Sequence, residues 1–168
     1  LFLSVVAAFW ACQQKEEKPK ELSLLKVSEN GRFLATKEDN EPFFWLGDTG
    51  WLLFTKLTRE EADTYLEDRR KKGFNVIQVM VLHTLGAKNV YGDSALVNKN
   101  VATTRVENGD NPDKPEEYDF WNHVDYVVDK AAEKGIYMAL VPIWGSNVKS
   151  GKVKPEDAKL FAEFLANR

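Results

Sequence analysis

A helix that ends in a lysine-glycine pair and runs directly into an apolar strand is predicted twice in this chain. The first helix ends at Lys72-Gly73, before the largely apolar run 74–82, and the second ends at Lys134-Gly135, before 136–141. Glycine adopts the left-handed conformation that stops a helix, and basic residues favour a helix C-terminus. Apolar runs of this kind are typical of strands buried on both faces of a parallel sheet. The repeat therefore predicts βα units with parallel strands and right-handed crossovers.

Turn and capping signals extend this pattern in both directions. Asn30-Gly31 between two short apolar runs predicts a β-hairpin. The apolar run 43–47 predicts a further buried strand. Thr58 and Glu61 have the spacing of a helix capping box. Two more helix starts are predicted at Asp119, as an N-cap, and at Pro155, as a first-turn proline.

The predicted order is a β-hairpin followed by β-α-β-α-β-α, which is an α/β fold. A closed (β/α)₈ barrel takes eight βα units and about 250 residues. We therefore expect residues 23–168 to form the N-terminal part of a truncated (β/α)₈ TIM barrel, with about three βα units. An open doubly wound sheet is the alternative. The stretch 84–118 has little periodicity and follows a strand, where barrels place functional loops.

The first eleven residues, 1–11, carry no charge and end at Cys12, the only cysteine. The run is too short for a membrane-spanning helix, which needs about 20 residues, but it suits a signal-peptide core. A signal core that ends at a lone cysteine resembles a bacterial lipoprotein signal; an ordinary signal peptide or a short buried segment are the alternatives. Residues 12–22 are mostly polar, as in a solvated tether. We expect a secreted protein, lipid-anchored through Cys12 to the bacterial outer membrane or cell surface, without disulfides.

Several other chemistries are excluded by composition and spacing. A formal net charge of −3 offers no basic surface to nucleic acid. Residues 145–153 resemble a phosphate-binding loop, but they have one spacer residue too many and a valine where serine or threonine binds magnesium. His83 and His123 lack the spacing of metal ligands. We expect no metal, no cofactor and no nucleic-acid partner.

Three segments of the chain resemble the apiosidase-like glycoside hydrolases. Residues 41–51 (EPFFWLGDTGW) are similar to the entry motif of that family, and 69–78 (RRKKGFNVIQ) to its second strand and the approach to it. Residues 120–126 (FWNHVDY), continuing to 142–145 (PIWG), are similar to its third unit. The resemblance implies a (β/α)₈ barrel that hydrolyses glycosidic bonds in plant cell-wall polysaccharides such as pectin. It also implies that the catalytic carboxyl pair lies beyond Arg168, so no residue here is assigned a catalytic role.

The predicted substrate-binding residues lie at or near the ends of the three strands, where ligands bind in barrels. They are Asp48, Thr49, Trp51, Gln78, His83 and Trp144. We expect Asp48 to hold sugar hydroxyls or to orient a catalytic group, with turn capping as its alternative role. Thr49 is expected to assist by hydrogen bonding or to belong to the turn.

Aromatic and amide side chains complete this prediction. Trp51 and Trp144 are expected to offer ring faces to sugars, although Trp51 fits packing under the first helix equally well. His83 is expected to donate to a sugar oxygen or to act as an acid, or else to be structural. Gln78 is expected to point into the barrel.

Other notable side chains are assigned differently. Trp45 and Trp121 are predicted to be core residues, and His123 a structural histidine beside the apolar face of its helix. Tyr91 and Asp93, in the long loop, could reach the substrate.

Two functions remain open at this point. The first is a glycoside hydrolase, in which the residues at the strand ends bind a polysaccharide or oligosaccharide. The second is a non-catalytic carbohydrate-binding lipoprotein on the same scaffold, favoured by the absence of an assigned carboxyl pair. An open α/β domain of unrelated function is a third and weaker interpretation.

Overall fold

A computed structural model describes residues 22–168, so the predicted signal core, Cys12 and nearly all of the predicted tether lie outside the described residues. The strands are β1 (Leu25–Val27), β2 (Leu34–Thr36), β3 (Pro42–Phe43), β4 (Gly47–Thr49), β5 (Val76–Leu82) and β6 (Tyr137–Ile143). The helices are α1 (Leu53–Lys56), α2 (Arg59–Lys71), α3 (Phe120–Glu133), α4 (Gly145–Lys149) and α5 (Pro155–Asn167), with a 3₁₀ turn at Pro115–Glu117. None of the helices in this part of the chain is long and apolar enough to cross a membrane.

Strands β4, β5 and β6 form a parallel sheet in that order. Ile77 in the middle strand pairs with Asp48 on one side and Met138 on the other. Helix α2 follows β4 and packs against α3, which follows β5 and packs against β6. The predicted α/β class is therefore confirmed, while the strands within 22–168 do not close into a barrel.

Both long helices ahead of β5 and β6 begin and end with local hydrogen bonds. Thr58 and Glu61 form the predicted capping box at the start of α2, and Asp119 caps α3. At the ends, Gly73 and Gly135 have φ angles of 82° and 74°. In each case the amide after the glycine donates to a carbonyl five residues earlier, as in a Schellman motif. This shared ending turns each helix directly into the next strand.

The hydrophobic core lies between the parallel sheet and helices α2 and α3. Six of the seven residues in β5 are buried. Trp121 is fully buried, as predicted, and its indole Nε1 donates to the Ala95 carbonyl at 3.0 Å. This bond ties the long loop to α3, as does the one from the Glu107 amide to Asp119 Oδ2 (2.7 Å). The stretch 84–118 is therefore folded onto the core despite its lack of periodicity.

The prediction of one buried strand over 43–47, with Trp45 in the core, was wrong. The run is divided between β3 and β4, Phe44 is 78% exposed and Trp45 is 48% exposed. The cause is Asn75, whose side-chain amide donates to the Phe44 carbonyl (2.7 Å) and accepts from the Leu46 amide (2.9 Å). These backbone groups therefore pair with a side chain instead of a sheet ladder, and the chain turns from one sheet to the other.

The other sheet has the antiparallel order β1-β2-β3. Between β1 and β2 the chain turns at Gly31, whose amide donates to the Ser28 carbonyl and whose φ is 67°. The sheet contacts the start of β6, because the rings of Phe43 and Tyr137 meet edge to face with centroids 5.2 Å apart. It therefore lies at the amino-terminal end of the parallel strands, away from the ends where the predicted binding residues lie.

Candidate functional site

The carboxyl ends of the three parallel strands surround an open hollow of about 330 Å³, which we call the tryptophan hollow. Its lining residues are Trp51, Leu52, Met80, His83 and Trp144. Trp51 follows β4, Met80 and His83 lie at the end of β5, and Trp144 follows β6. Three of the six predicted binding residues are thus brought together, although they are far apart in sequence.

The walls of the tryptophan hollow are two indole rings. Trp51 and Trp144 meet edge to face, with ring centroids 5.9 Å apart and an interplanar angle of 83°. Trp51 is 40% exposed and Trp144 is 49% exposed, so neither ring is absorbed into the core. An edge-to-face pair holds both rings in position while leaving ring surface available to a ligand.

His83 supplies the polar group of the tryptophan hollow. The residue is half-buried, and its Nδ1 is buried without a hydrogen-bond partner among the described residues. Its backbone is held because Asn147 Nδ2 donates to the His83 carbonyl at 3.2 Å. The neighbouring Leu82 carbonyl accepts from the Trp144 amide at 3.0 Å. The backbone at His83 is therefore held by α4 and by the residue that follows β6, while its Nδ1 has no partner among the described residues.

Thr49 and Gln78 lie one step below the tryptophan hollow. They are register partners in β4 and β5, and Gln78 is two residues before Met80, so all three lie on the same face of the sheet. Thr49 is exposed and Gln78 is half-buried. Among the described residues, the Gln78 side-chain amide has no hydrogen-bond partner within the usual distance. Neither residue lines the tryptophan hollow; they continue the same face of the sheet towards the amino-terminal end of the strands.

Asp48 lies on the opposite face of the sheet and is held against α2. Arg69 Nη1 and the Tyr65 hydroxyl donate to its Oδ2 at 2.7 and 3.0 Å, and the Thr49 amide donates to Oδ1 at 2.8 Å. Burial raises the pKa of Asp48, but these three donors outweigh it and leave the pKa below its usual value. Burial and the Asp48 carboxylate raise the pKa of Tyr65 to about 12. The contacts of Asp48 tie β4 to α2, and a sugar-binding role for it stays a prediction.

Two residues of the tryptophan hollow were missed in the sequence. Met80 forms part of its surface because strand residues two apart share a face, so the position of Gln78 could have indicated it. Leu52 adjoins Trp51 and is 38% exposed, which no local pattern predicts.

No carboxylate contributes to the tryptophan hollow, whose five lining residues are apolar, aromatic or imidazole side chains. Within residues 22–168, no group of three or more His, Cys, Asp or Glu side chains is arranged to hold a metal ion. The arrangement can therefore stack against a ring and exchange hydrogen bonds with it. It does not by itself supply an acid-base pair.

Comparisons with known proteins found a family model and solved structures that are similar to this chain. A family model described as "Apiosidase-like, catalytic domain" matches residues 28–168. A solved structure described as a glycoside hydrolase is 41% identical, with a TM-score of 0.72, and the match covers 86% of this chain and 31% of that one. The crystal structure of a glycoside hydrolase family 5 protein from Bacteroides vulgatus ATCC 8482 is 38% identical, with a TM-score of 0.73. That match covers 86% of this chain and 30% of the other.

An endo-1,4-beta-mannanase from Rhizomucor miehei is also similar, with 15% identity, a TM-score of 0.54 and coverage of 86% of this chain and 41% of that one. At this identity the likeness concerns the fold alone. No curated protein matches the chain. The chain spans about a third of the length of the two more similar structures. Because the family model covers most of the sequence, this chain belongs to the apiosidase-like family.

Proposed function

We propose that this chain contributes the first three βα units of a (β/α)₈ glycoside hydrolase, and that the tryptophan hollow binds a sugar ring of its substrate. The sheet order β4-β5-β6 follows the chain order, with helices between successive strands, which is how a barrel is wound. The likeness to solved glycoside hydrolases over about a third of their length supports the same arrangement.

The observation that carries the proposal is the position of Trp51, His83 and Trp144 at the carboxyl ends of three adjacent parallel strands. Barrel enzymes bind substrate at this end of their strands. Indole rings pack well against the apolar patches of a sugar ring, and an imidazole can donate to a sugar oxygen. The hollow of about 330 Å³ falls at the lower end of the range for small-molecule sites, about 300 to 1,000 Å³.

Hydrolysis of a glycosidic bond generally requires two carboxyl groups on either side of the scissile oxygen. The tryptophan hollow has no carboxylate among its lining residues. We therefore propose that later barrel strands, beyond Arg168, supply the catalytic pair. In this arrangement the residues of this chain bind and orient the substrate, and no cofactor is required.

The proposed substrate class is plant cell-wall polysaccharide of the pectin type, as the family resemblance implies. The test is to incubate the full-length protein with pectin-derived oligosaccharides and to measure the release of reducing ends. The proposal expects turnover that falls in Trp144→Ala mainly through an increase in KM. Turnover with an unchanged KM in that variant would contradict the role given to the tryptophan hollow.

A non-catalytic carbohydrate-binding protein is the second candidate, and the absence of a carboxylate from the tryptophan hollow favours it. A glycan array distinguishes the two. Binding by the full-length protein without any release of reducing ends would support this candidate and contradict the hydrolase.

The proposed location is the bacterial outer membrane or cell surface, with Cys12 as the lipidated residue. Labelling of cells with an alkyne-bearing fatty acid tests this proposal. The wild-type protein is expected to take up label and Cys12→Ser to take up none. Equal labelling of both, or labelling of neither, would contradict the lipid anchor.

A further inference from the structure

A second cavity, of about 440 Å³, lies between the start of α2, the long loop and the residues just before α3. We call it the loop cavity; its charged and aromatic lining residues are Arg59, Glu60, Tyr91, Asp93, Asp113 and Tyr118. It shares no lining residue with the tryptophan hollow. The proposed function makes no use of it.

Arg59 is held in the loop cavity as an unpaired cation. Its guanidinium lies 4.4 and 4.6 Å from the ring centroids of Tyr118 and Tyr126, and its Nε donates to the Tyr118 hydroxyl at 2.9 Å. No carboxylate of the described chain lies within ion-pair distance of it, whereas Arg69 and Arg105 both have such partners. The two terminal nitrogens of Arg59 are therefore donors that are fixed in place and unused within residues 22–168.

Tyr91 and Asp93 are fixed by the loop that carries them. The Asn89 side-chain oxygen accepts from the amides of both residues, at 3.1 and 2.9 Å, and Asn89 Nδ2 donates to Asp93 Oδ2 at 2.8 Å. The Tyr91 hydroxyl accepts from the Arg59 amide at 3.0 Å, which joins the loop to the start of α2. Tyr91 nevertheless remains 49% exposed.

We propose that the loop cavity is a second saccharide-binding site, separate from the tryptophan hollow. A held aromatic ring, a guanidinium with free N–H groups and three carboxylates supply a stacking surface, donors and acceptors at one place, which is what a ring bearing several hydroxyl groups requires. The carboxylates of Glu60, Asp93 and Asp113 in the same cavity outnumber the Arg59 guanidinium and oppose an anionic ligand. The ligand is therefore a neutral sugar unit. The argument rests on the proposed function only in the choice of polysaccharide from which the probes are taken.

The test is isothermal titration of the full-length protein with neutral galacto-, arabino- and xylo-oligosaccharides, and with an oligogalacturonide as the anionic comparison. The wild-type protein is expected to bind one of the neutral probes at two sites per molecule. Tyr91→Ala is expected to weaken binding at one of the two sites by about tenfold, while Tyr91→Phe keeps the ring and both affinities. Asp113 is exposed, so Asp113→Asn gives a second variant that leaves the packing intact, with an expected weakening of about fivefold at the same site.

Two results would overturn the second site: one binding site in the wild-type protein, or isotherms of Tyr91→Ala and Asp113→Asn that match the wild type. Tighter binding of the oligogalacturonide than of every neutral probe would overturn the choice of ligand. The tryptophan hollow is tested independently, because Trp144→Ala should weaken binding at the other site only. If Trp144→Ala binds like the wild type while Tyr91→Ala binds more weakly at one site, sugar binding at the tryptophan hollow is contradicted and sugar binding at the loop cavity is supported.

Discussion

Trp51 and Trp144 are 93 positions apart in sequence, yet their ring centroids lie 5.9 Å apart, above the end of the middle strand β5. The contact arises because Trp51 comes two residues after β4 and Trp144 directly follows β6, and these two strands flank β5. Met80 of β5 lines the tryptophan hollow with them, and its amide donates to the Trp51 carbonyl at 3.2 Å. The distance between the two rings therefore depends on the register of all three strands, so a change in the sheet would also change the ligand-binding surface.

Replacement of Trp144 by alanine should weaken oligosaccharide binding at the tryptophan hollow by about tenfold, because an aromatic stacking surface is lost. Trp45→Ala is the matched control, since Trp45 is 48% exposed and Trp144 is 49% exposed, but Trp45 lies outside the hollow. Titration of both variants with the same oligosaccharide provides the comparison. An equal loss of affinity in the two variants would mean that the effect is not specific to the hollow.

His123 should make the stability of the protein sensitive to mild acid. Its side chain is fully buried, and burial lowers its pKa to about 4, an effect that the nearby Leu57 backbone opposes only in part. Between an ordinary pKa of about 6.5 and this value, the unfolded chain takes up a proton that the native state does not. The free energy of unfolding should therefore fall by about 2 kcal/mol between pH 7 and pH 5 from this residue alone.

Urea unfolding at the two pH values measures this contribution. His123→Gln carries no titratable group at the position, so it should lose less stability between pH 7 and pH 5 than the wild type, whatever its stability at pH 7. The same loss in both proteins would show that other groups account for the pH dependence.

Asp48 should stabilise the contact between β4 and α2 by about 1 kcal/mol, the upper part of the range for partly exposed ion pairs. Its pKa is lowered in the folded protein, so this stability is present above the ordinary pKa and is lost as pH falls through the folded value. Asp48→Asn should thus be less stable than the wild type near neutral pH and nearly equal to it in strong acid. Thermal melting near neutral pH and in strong acid tests this prediction. Asp39 is exposed, so Asp39→Asn is the control and should leave the melting temperature unchanged at both pH values.

Gly135→Ala should lower the free energy of unfolding by about 1 kcal/mol. Its φ of 74° disfavours a side chain, although no atom lies within 4 Å of the site that a Cβ would occupy, so the cost is confined to the backbone. Gly145 has equally free surroundings and no positive φ, which makes Gly145→Ala the matched control. Denaturant midpoints should fall in the first variant and stay level or rise in the second. A similar fall in both would contradict the backbone explanation.

The features that follow from local chemistry could be predicted from the sequence. The capping box of Thr58 and Glu61 and the glycine endings at Gly73 and Gly135 depend only on neighbouring residues, and all were located correctly. The tryptophan hollow was partly predictable as well. Once parallel strands are expected, residues that follow them must meet at one edge, which brings Trp51, His83 and Trp144 together.

The features that depend on distant partners could not be predicted in the same way. Asp48 lies in a strand of only three residues, too short for alternation to indicate which face it occupies. Its orientation is set by Tyr65 and Arg69 on α2. The exposure of Trp45 depends on Asn75, which is thirty positions further along the chain. Likewise, Arg59 and Tyr91 meet only because the long loop folds back onto α2.

The nearly complete burial of β5 bears on the order in which the protein folds during its synthesis. Its partners in the core, helices α2 and α3, precede and follow it along the chain, α3 after the long loop, and both bury apolar residues with it. A polypeptide emerging from the ribosome can therefore assemble this centre from consecutive segments. The strand β6 would then join a nucleus that is already packed, and its arrival would bring Trp144 to its place beside Trp51.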